Sequence, residues 1–367
     1  MNLQRRDVLK ATAALPLVTV AGCTGVLGDG EQPAYNESTP RDGANDDAGV
    51  FFVHIDAEWL RGYDGEEELP YAEELPDAVD IDIGSDAAPV NVDPLVAYPT
   101  AGLLVGTIGL GFGLVPYGFG DRLLEGVGGG DLQEGAADND TDAATETATA
   151  EADLRVDSML LVDGVGVFRG SFDTNAVVAA SEGFEPSEER GDFEVYEGTG
   201  EGFLSTEGLA FALRDDTLVT LLDKESSLDT VLDTVAGETE RFGEGDDSGW
   251  ALETAGNGHV TLGAWGVDPE AGAESDGEAD TSQFIESGPV LESTTGVVSS
   301  FTLGPEEGTA SLAAVYPEGE APDRAAVENE IGTSATTRDV SIDGVRVAVD
   351  GTWRVAEEST PTDTESS

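Results

Sequence analysis

The chain has 367 residues, 76 of them Asp or Glu against 16 Lys or Arg, for a formal net charge of −60. This surplus excludes nucleic acid as a partner, since no basic patch exists to neutralise phosphate, and it repels anionic lipid headgroups. A single cysteine excludes an internal disulfide, so stability must come from buried cores, and 39% hydrophobic residues in regular runs argue for a folded chain rather than a disordered one.

The first segment, residues 1–22, places Arg5, Arg6 and Lys10 ahead of an apolar run from Ala11 to Gly22 that is too short to span a bilayer. The paired arginines match the twin-arginine export signal, which is read by a receptor and is not itself an anchor. The run closes in Val20-Ala21-Gly22-Cys23, which resembles the lipobox of exported lipoproteins, with cleavage before Cys23 and lipid attached to it. Removing residues 1–22 leaves 13 basic and 75 acidic residues, a charge of about −62. Such a chain repels itself unless high ionic strength screens it. Residues 23–49, rich in Gly, Asp, Pro and Ser, are expected to form a disordered tether. They carry the sequon Asn36-Glu37-Ser38, a candidate N-glycosylation site; a second, at Asn139, falls in a low-complexity stretch.

Residues 50–125 open with a buried strand, Val50 to Asp56, whose last residue can cap a short helix through Trp59 and Leu60. A further strand is expected at Val79 to Ile83. From Pro94 to Gly120, 27 residues carry no charge, and Asp93 can cap a helix with Pro94 at its first position. Gly102, Gly106, Gly109, Gly113 and Gly120 then form one helical stripe. Three placements compete for this helix: buried against the protein's own sheet, dipping into the outer leaflet beside the lipid, or spanning the membrane. Pro99 and Pro116 bracket about 16 residues, roughly 24 Å of helix against a hydrocarbon core of about 30 Å, which favours burial.

Residues 126–152 read as an acidic linker, and 153–268 as an α+β domain. Within it Asp163-Gly164 joins two apolar runs in a hairpin. Asp173 caps a helix from Thr174, and strands are expected near 193–196, 209–213 and 217–222. A helix with Leu228, Val231, Leu232 and Val235 on one face stops at Gly237, and a last strand covers 259–267. After a linker at 269–282, residues 283–356 form a second α+β unit with strands at 296–303 and 309–316, a helix at 322–331 and a hairpin turning on Asp343-Gly344. Residues 357–367 are a disordered tail. The expected fold is α+β: antiparallel sheets with helices on one face, plus the glycine-striped helix. Asp343-Gly344-Val345-Arg346-Val347 repeats Asp163-Gly164-Val165-Gly166-Val167, which raises two related β-β-α units.

No catalytic motif emerges. His54 and His259 each lie in strand-like runs without partners at metal-ligand spacing, so no metal site or cofactor is expected. No nucleophile elbow is present, Cys23 is assigned to lipid, and Lys224 follows no glycine loop. Asp138-Asn139-Asp140-Thr141-Asp142 alternates oxygen ligands but lacks the glycine and glutamate of a calcium loop.

Through Arg5, Arg6, Cys23 and the acidic composition, the chain resembles lipoproteins that haloarchaea export by the twin-arginine route. The resemblance implies a protein delivered by that machinery and held outside the cytoplasmic membrane by lipid at Cys23. Its work would be non-enzymatic binding or envelope association, with a membrane or envelope partner for the 94–120 helix. A transporter's substrate-binding lipoprotein and an envelope enzyme using acidic residues are the alternatives.

Overall fold

The computed structural model describes residues 32–44, 49–62, 93–120, 122–123, 154–200, 205–224, 226–266, 290–291, 293–304, 307–320 and 322–354. Elements appear in the order β1 (Val50–Asp56), α1 (Ala57–Gly62), α2 (Pro94–Gly113), β2 (Arg155–Val162), β3 (Val165–Ser171), α3 (Thr174–Ala180), β4 (Phe184–Arg190), β5 (Phe193–Gly198), β6 (Ala210–Arg214), β7 (Thr217–Leu221), α4 (Leu228–Ala236), α5 (Asp246–Ala255), β8 (Val260–Trp265), β9 (Gly296–Leu303), β10 (Glu307–Val315), α6 (Arg324–Glu330), β11 (Thr337–Asp343) and β12 (Arg346–Arg354). All twelve strands join one antiparallel sheet in the order β11-β12-β10-β9-β8-β1-β2-β3-β7-β6-β5-β4.

The centre of that sheet is β1, paired through Phe52↔Val162 and its neighbours on one side and through Val53↔Leu262 and its neighbours on the other. Its sequence, Val-Phe-Phe-Val-His-Ile-Asp, is apolar at nearly every position because both faces are covered. Val53 and Ile55 enter a core shared with Leu95 and Val96 of α2, Val177 of α3 and Val327 of α6. Val50 and Phe52 enter a second core with Val231 and Leu232 of α4 and Ala251 and Leu252 of α5. The expectation of helices on one face is therefore corrected: they cover both. The three folded segments expected from the sequence all contribute strands to this single sheet.

Local signals explain most elements. Asp163 (φ 42°) and Gly164 (φ 79°) make the tight turn between β2 and β3. The carboxylate of Asp173 accepts from the Ala176 amide to start α3, and Gly237, at φ 75°, ends α4 in the left-handed conformation. Asp56 accepts from the amides of Glu58 and Trp59 at 2.9 and 3.0 Å, opening α1. The edge strand β4 carries Pro186, a register shift between Pro186 and Glu188, and three glutamates, features that deter pairing with another chain.

The glycine-striped helix ends at Gly113 rather than running to residue 120: a 3₁₀ turn over Val115–Tyr117 follows, then Gly118 at φ 69°. Its stripe faces the protein's own sheet. A side-chain carbon at Gly102 would lie 3.1 Å from Leu262, at Gly106 3.0 Å from Ile55 and at Gly113 2.8 Å from Leu222. Among the described residues no helix is long and apolar enough to cross a membrane. The N-terminus of α2 is tied down by buried Asp93. Its carboxylate accepts from the Leu95, Gly332 and Ser334 amides (3.1, 2.7 and 2.9 Å) and from the Ser334 hydroxyl (2.7 Å). The expected cap is thus also a bolt to the loop after α6. The expected strand at 79–83 and the linkers at 126–152 and 269–282 lie outside the described residues.

Glycine is unfavourable inside a helix by about 1 kcal/mol relative to alanine, a cost that close contact with the sheet accounts for at Gly102, Gly106 and Gly113 but not at every position of the stripe. At Gly109 an added carbon would sit at an ordinary 3.6 Å from Leu161. Gly109→Ala should raise stability by about 0.5–1 kcal/mol in urea titration, whereas Gly102→Val should lower it by about 1–3 kcal/mol through overpacking. A helix standing clear of the sheet would give no such contrast.

Candidate functional site

The chain's two histidines both lie near Asp56 at the end of β1. His54 belongs to β1, and His259 sits just ahead of β8, where its carbonyl accepts from the Asp56 amide at 2.7 Å. The charge of Asp56 acts on both imidazoles. His54 is buried, its ring stacked on Tyr35 at 4.6 Å. Burial, with a smaller push from Arg169, lowers its pKa from 6.5 to about 4 against the opposing pull of Asp56. Its Nδ1 finds no hydrogen-bond partner among the described residues. His259 stacks on Trp59 at 4.9 Å, and its Nδ1 accepts from the Leu303 amide at 3.2 Å. Burial lowers its pKa too, with Asp56 opposing. His54 is thus neutral and enclosed, and His259 is engaged with backbone and indole.

Covering His54 is a strap formed by residues 32–44. This corrects the expectation of a disordered tether throughout 23–49. A 3₁₀ turn over Ala34–Ser38 buries Tyr35 against Phe52, with ring centroids 5.8 Å apart. Backbone bonds then stitch the strap to distant segments: Phe242 amide to Thr39 carbonyl (2.9 Å), Arg41 amide to Glu240 carbonyl (3.0 Å) and Ser227 amide to Ala44 carbonyl (3.1 Å). Arg41 pairs with Glu240 at 2.7 Å, and Arg169 holds Glu37 at 3.0 Å and the Ser38 hydroxyl at 3.1 Å.

Asn36 departs furthest from its sequence reading. Only 5% exposed, it accepts from the Gly243 amide at 2.8 Å through Oδ1 and donates through Nδ2 to Gln32 at 2.5 Å. The sequon therefore lies in a folded strap rather than an exposed linker, with its amide nitrogen engaged by Gln32. Gln32 in turn donates to the Gly243 carbonyl at 2.5 Å. A side-chain carbon at Gly243 would lie 2.2 Å from the Gln32 amide oxygen and would displace that side chain from its present bonds.

The other end of the strap is held by Asp163, whose carboxylate accepts from the Ala44 amide at 2.9 Å and the Phe51 amide at 2.8 Å. Burial nevertheless pushes its pKa from 3.8 up to about 6, because the two amide bonds offset only part of the desolvation.

Elsewhere an open depression of about 470 Å³ is lined by Thr174, Asp192, Glu194, Leu213, Arg214, Asp215 and Asp216. Its one cation is committed: Arg214 binds Asp216 at 2.6 Å and lies 4.7 Å from the centre of the Phe193 ring. Among the described residues no three His, Cys, Asp or Glu side chains are placed to hold a metal ion. Lys224 lays its methylenes over Gly208. Arg5, Arg6, Cys23, the Asn139 sequon and the calcium-like stretch lie outside the described residues.

No protein-family model matches the chain, and no characterised protein matches its sequence. The fold is distantly similar to that of TP0453 in two of its crystal forms. Form I gives a TM-score of 0.38 over 89% of this chain and 94% of TP0453. Form III gives 0.37 over 86% and 94%, with 10% identity in both cases.

His54 and Asp163 give the strap opposite responses to acid. The unfolded chain protonates His54 first, so its contribution is full above pH 6.5 and is lost as pH falls towards 4. Asp163 protonates first in the folded chain, so its contribution grows as pH falls from about 6 towards 4. Each term is on the order of 3 kcal/mol, and they largely cancel. In urea titrations at fixed molar salt, His54→Phe should gain stability relative to the parent between pH 6.5 and 4, while Asp163→Asn should lose it. Parallel profiles would show that neither group is held as described.

Proposed function

We propose that the protein is an extracytoplasmic lipoprotein. On this reading it is exported through Arg5 and Arg6, cut ahead of Cys23, tethered there by lipid, and works by non-enzymatic binding or envelope association. The carrying observation is that the chain's one cysteine closes the Val20-Ala21-Gly22 run at the position lipid attachment needs. The described histidines support a binding role over catalysis, since both are taken up in packing. Asp163, the described carboxylate with the raised pKa that an acid catalyst needs, spends both oxygens on backbone amides.

We also infer that the sheet combines two related units arranged about the β1–β8 pair. Strand order supports this: β1-β2-β3 is extended by a meander whose last strand, β7, returns to β3, and β8-β9-β10 by a hairpin whose last strand, β12, returns to β10. In each unit a short helix, α3 or α6, follows the third strand and packs on the same face. The repeated Asp-Gly turns do not carry this relation, because Asp163 joins the second and third strands of its unit while Asp343 joins the last two of the other.

The anchor is tested by fractionating cells in molar salt. The parent protein should sediment with membranes, be released by detergent, and give a mass lacking residues 1–22 with lipid added at Cys23. Cys23→Ser should leave the membrane fraction. Undiminished retention of the variant, or a free thiol in the native protein, would refute the proposal.

A further inference from the structure

We infer that the protein stands at the membrane with its strap face, the side carrying α4 and α5, towards the bilayer and its α2 face turned away. This rests on lipid attachment at Cys23. The strap leaves little freedom. Gln32 is fixed to Gly243, and the neighbouring Phe242 packs on Phe52 of β1 and Trp265 of β8, with centroids 5.4 and 5.5 Å apart. The folded chain therefore begins over the middle of the sheet on one face. Nine residue steps separate Cys23 from Gln32, at most about 30 Å of chain however extended.

The sheet is wider than that reach. Twelve strands at about 4.8 Å spacing span roughly 50 Å, so either lateral edge lies about 20–30 Å from the central pair. Bringing α2 to the bilayer would take the chain from the middle of the strap face to an edge. It would then have to pass a helix–sheet–helix thickness of about 20 Å. A route around the strand ends is shorter, but half a strand, roughly 12 Å, plus the same thickness takes up the whole of the tether at full stretch. The α2 face is therefore the side the tether holds furthest from the surface, and the strap face is the side it reaches with most chain to spare.

Charge acts on height rather than orientation. The strap face carries Glu238, Glu240, Asp246, Asp247 and Glu253, so anionic headgroups push it away. Repulsion can lift the body to the limit of its tether, yet the attachment point stays beneath. In molar salt, where screening acts over about 3 Å, the face settles closer. Lipid and lipid alone is the partner this geometry selects for the strap face; the α2 face is left for partners beyond the membrane.

Because Cys23 is the chain's only cysteine and is taken by lipid, one introduced cysteine labels a single position. Full-length lipidated protein would be prepared with Glu238→Cys or Glu253→Cys on the strap face, or Ala179→Cys or Ala325→Cys on the α2 face, all exposed positions. Each carries a fluorescent donor and is bound to phosphatidylcholine vesicles with a headgroup acceptor in molar potassium chloride. Transfer from positions 238 and 253 should exceed that from 179 and 325 at least twofold. About twenty Gly/Ser residues inserted between Gly28 and Asp29 should abolish the difference. Equal or reversed transfer with the native tether overturns the orientation alone. Absence of transfer at all four positions, with Cys23→Ser behaving like the parent, overturns the lipid anchor with it.

Discussion

The structure depends on β1 being buried on both faces and paired on both edges. Its partners, β2 and β8, begin about a hundred and two hundred residues further along, so one strand of seven residues joins halves of the chain with no other connection through the sheet's centre. A strand in that position cannot alternate apolar and polar residues, because both sides are interior. The histidine in this strand is tolerated because Tyr35 covers it and its imidazole stays neutral. The polar Asp56 sits where the strand runs out of cover and turns into α1.

Around this centre the scarce cations act as staples. Arg169 and Arg41 fasten the strap, Arg346 joins β12 to Asp247 of α5, and Arg190 of β4 holds Asp233 of α4. Each pair is partly exposed and worth at most about 1 kcal/mol, less in salt. Their arrangement still matters in a chain of net charge −60, because each arginine brings a carboxylate of another element into an ion pair.

Much of the architecture was legible in the sequence because turns and caps are local. Asp163-Gly164, Asp173, Gly237, Asp343-Gly344 and the Asp93-Pro94 start of α2 each act within a few residues. The elements that escaped notice lack such signals. β4, Phe-Glu-Pro-Ser-Glu-Glu-Arg, has an edge strand's composition and little apolar periodicity. α5 begins Asp-Asp-Ser-Gly and has no strongly apolar stripe. The strap was least legible of all, since its composition is that of a linker. Its order comes from amides and carbonyls some two hundred residues away and from one tyrosine, information that no window along the chain contains. For the same reason the histidines, each unremarkable in sequence, could not be seen to converge on Asp56.

The pairing of β1 also governs how this molecule comes into being. Contacts separated by more than a hundred residues require closing long loops before any reward is gained, which places the fold among slow folders of high contact order. While the chain is being synthesised, β1 has one exposed edge until Trp265 has emerged, and the hairpins on either side are unjoined. Enclosure of the central strand is therefore a late event, and any step that requires the finished body has to wait for it.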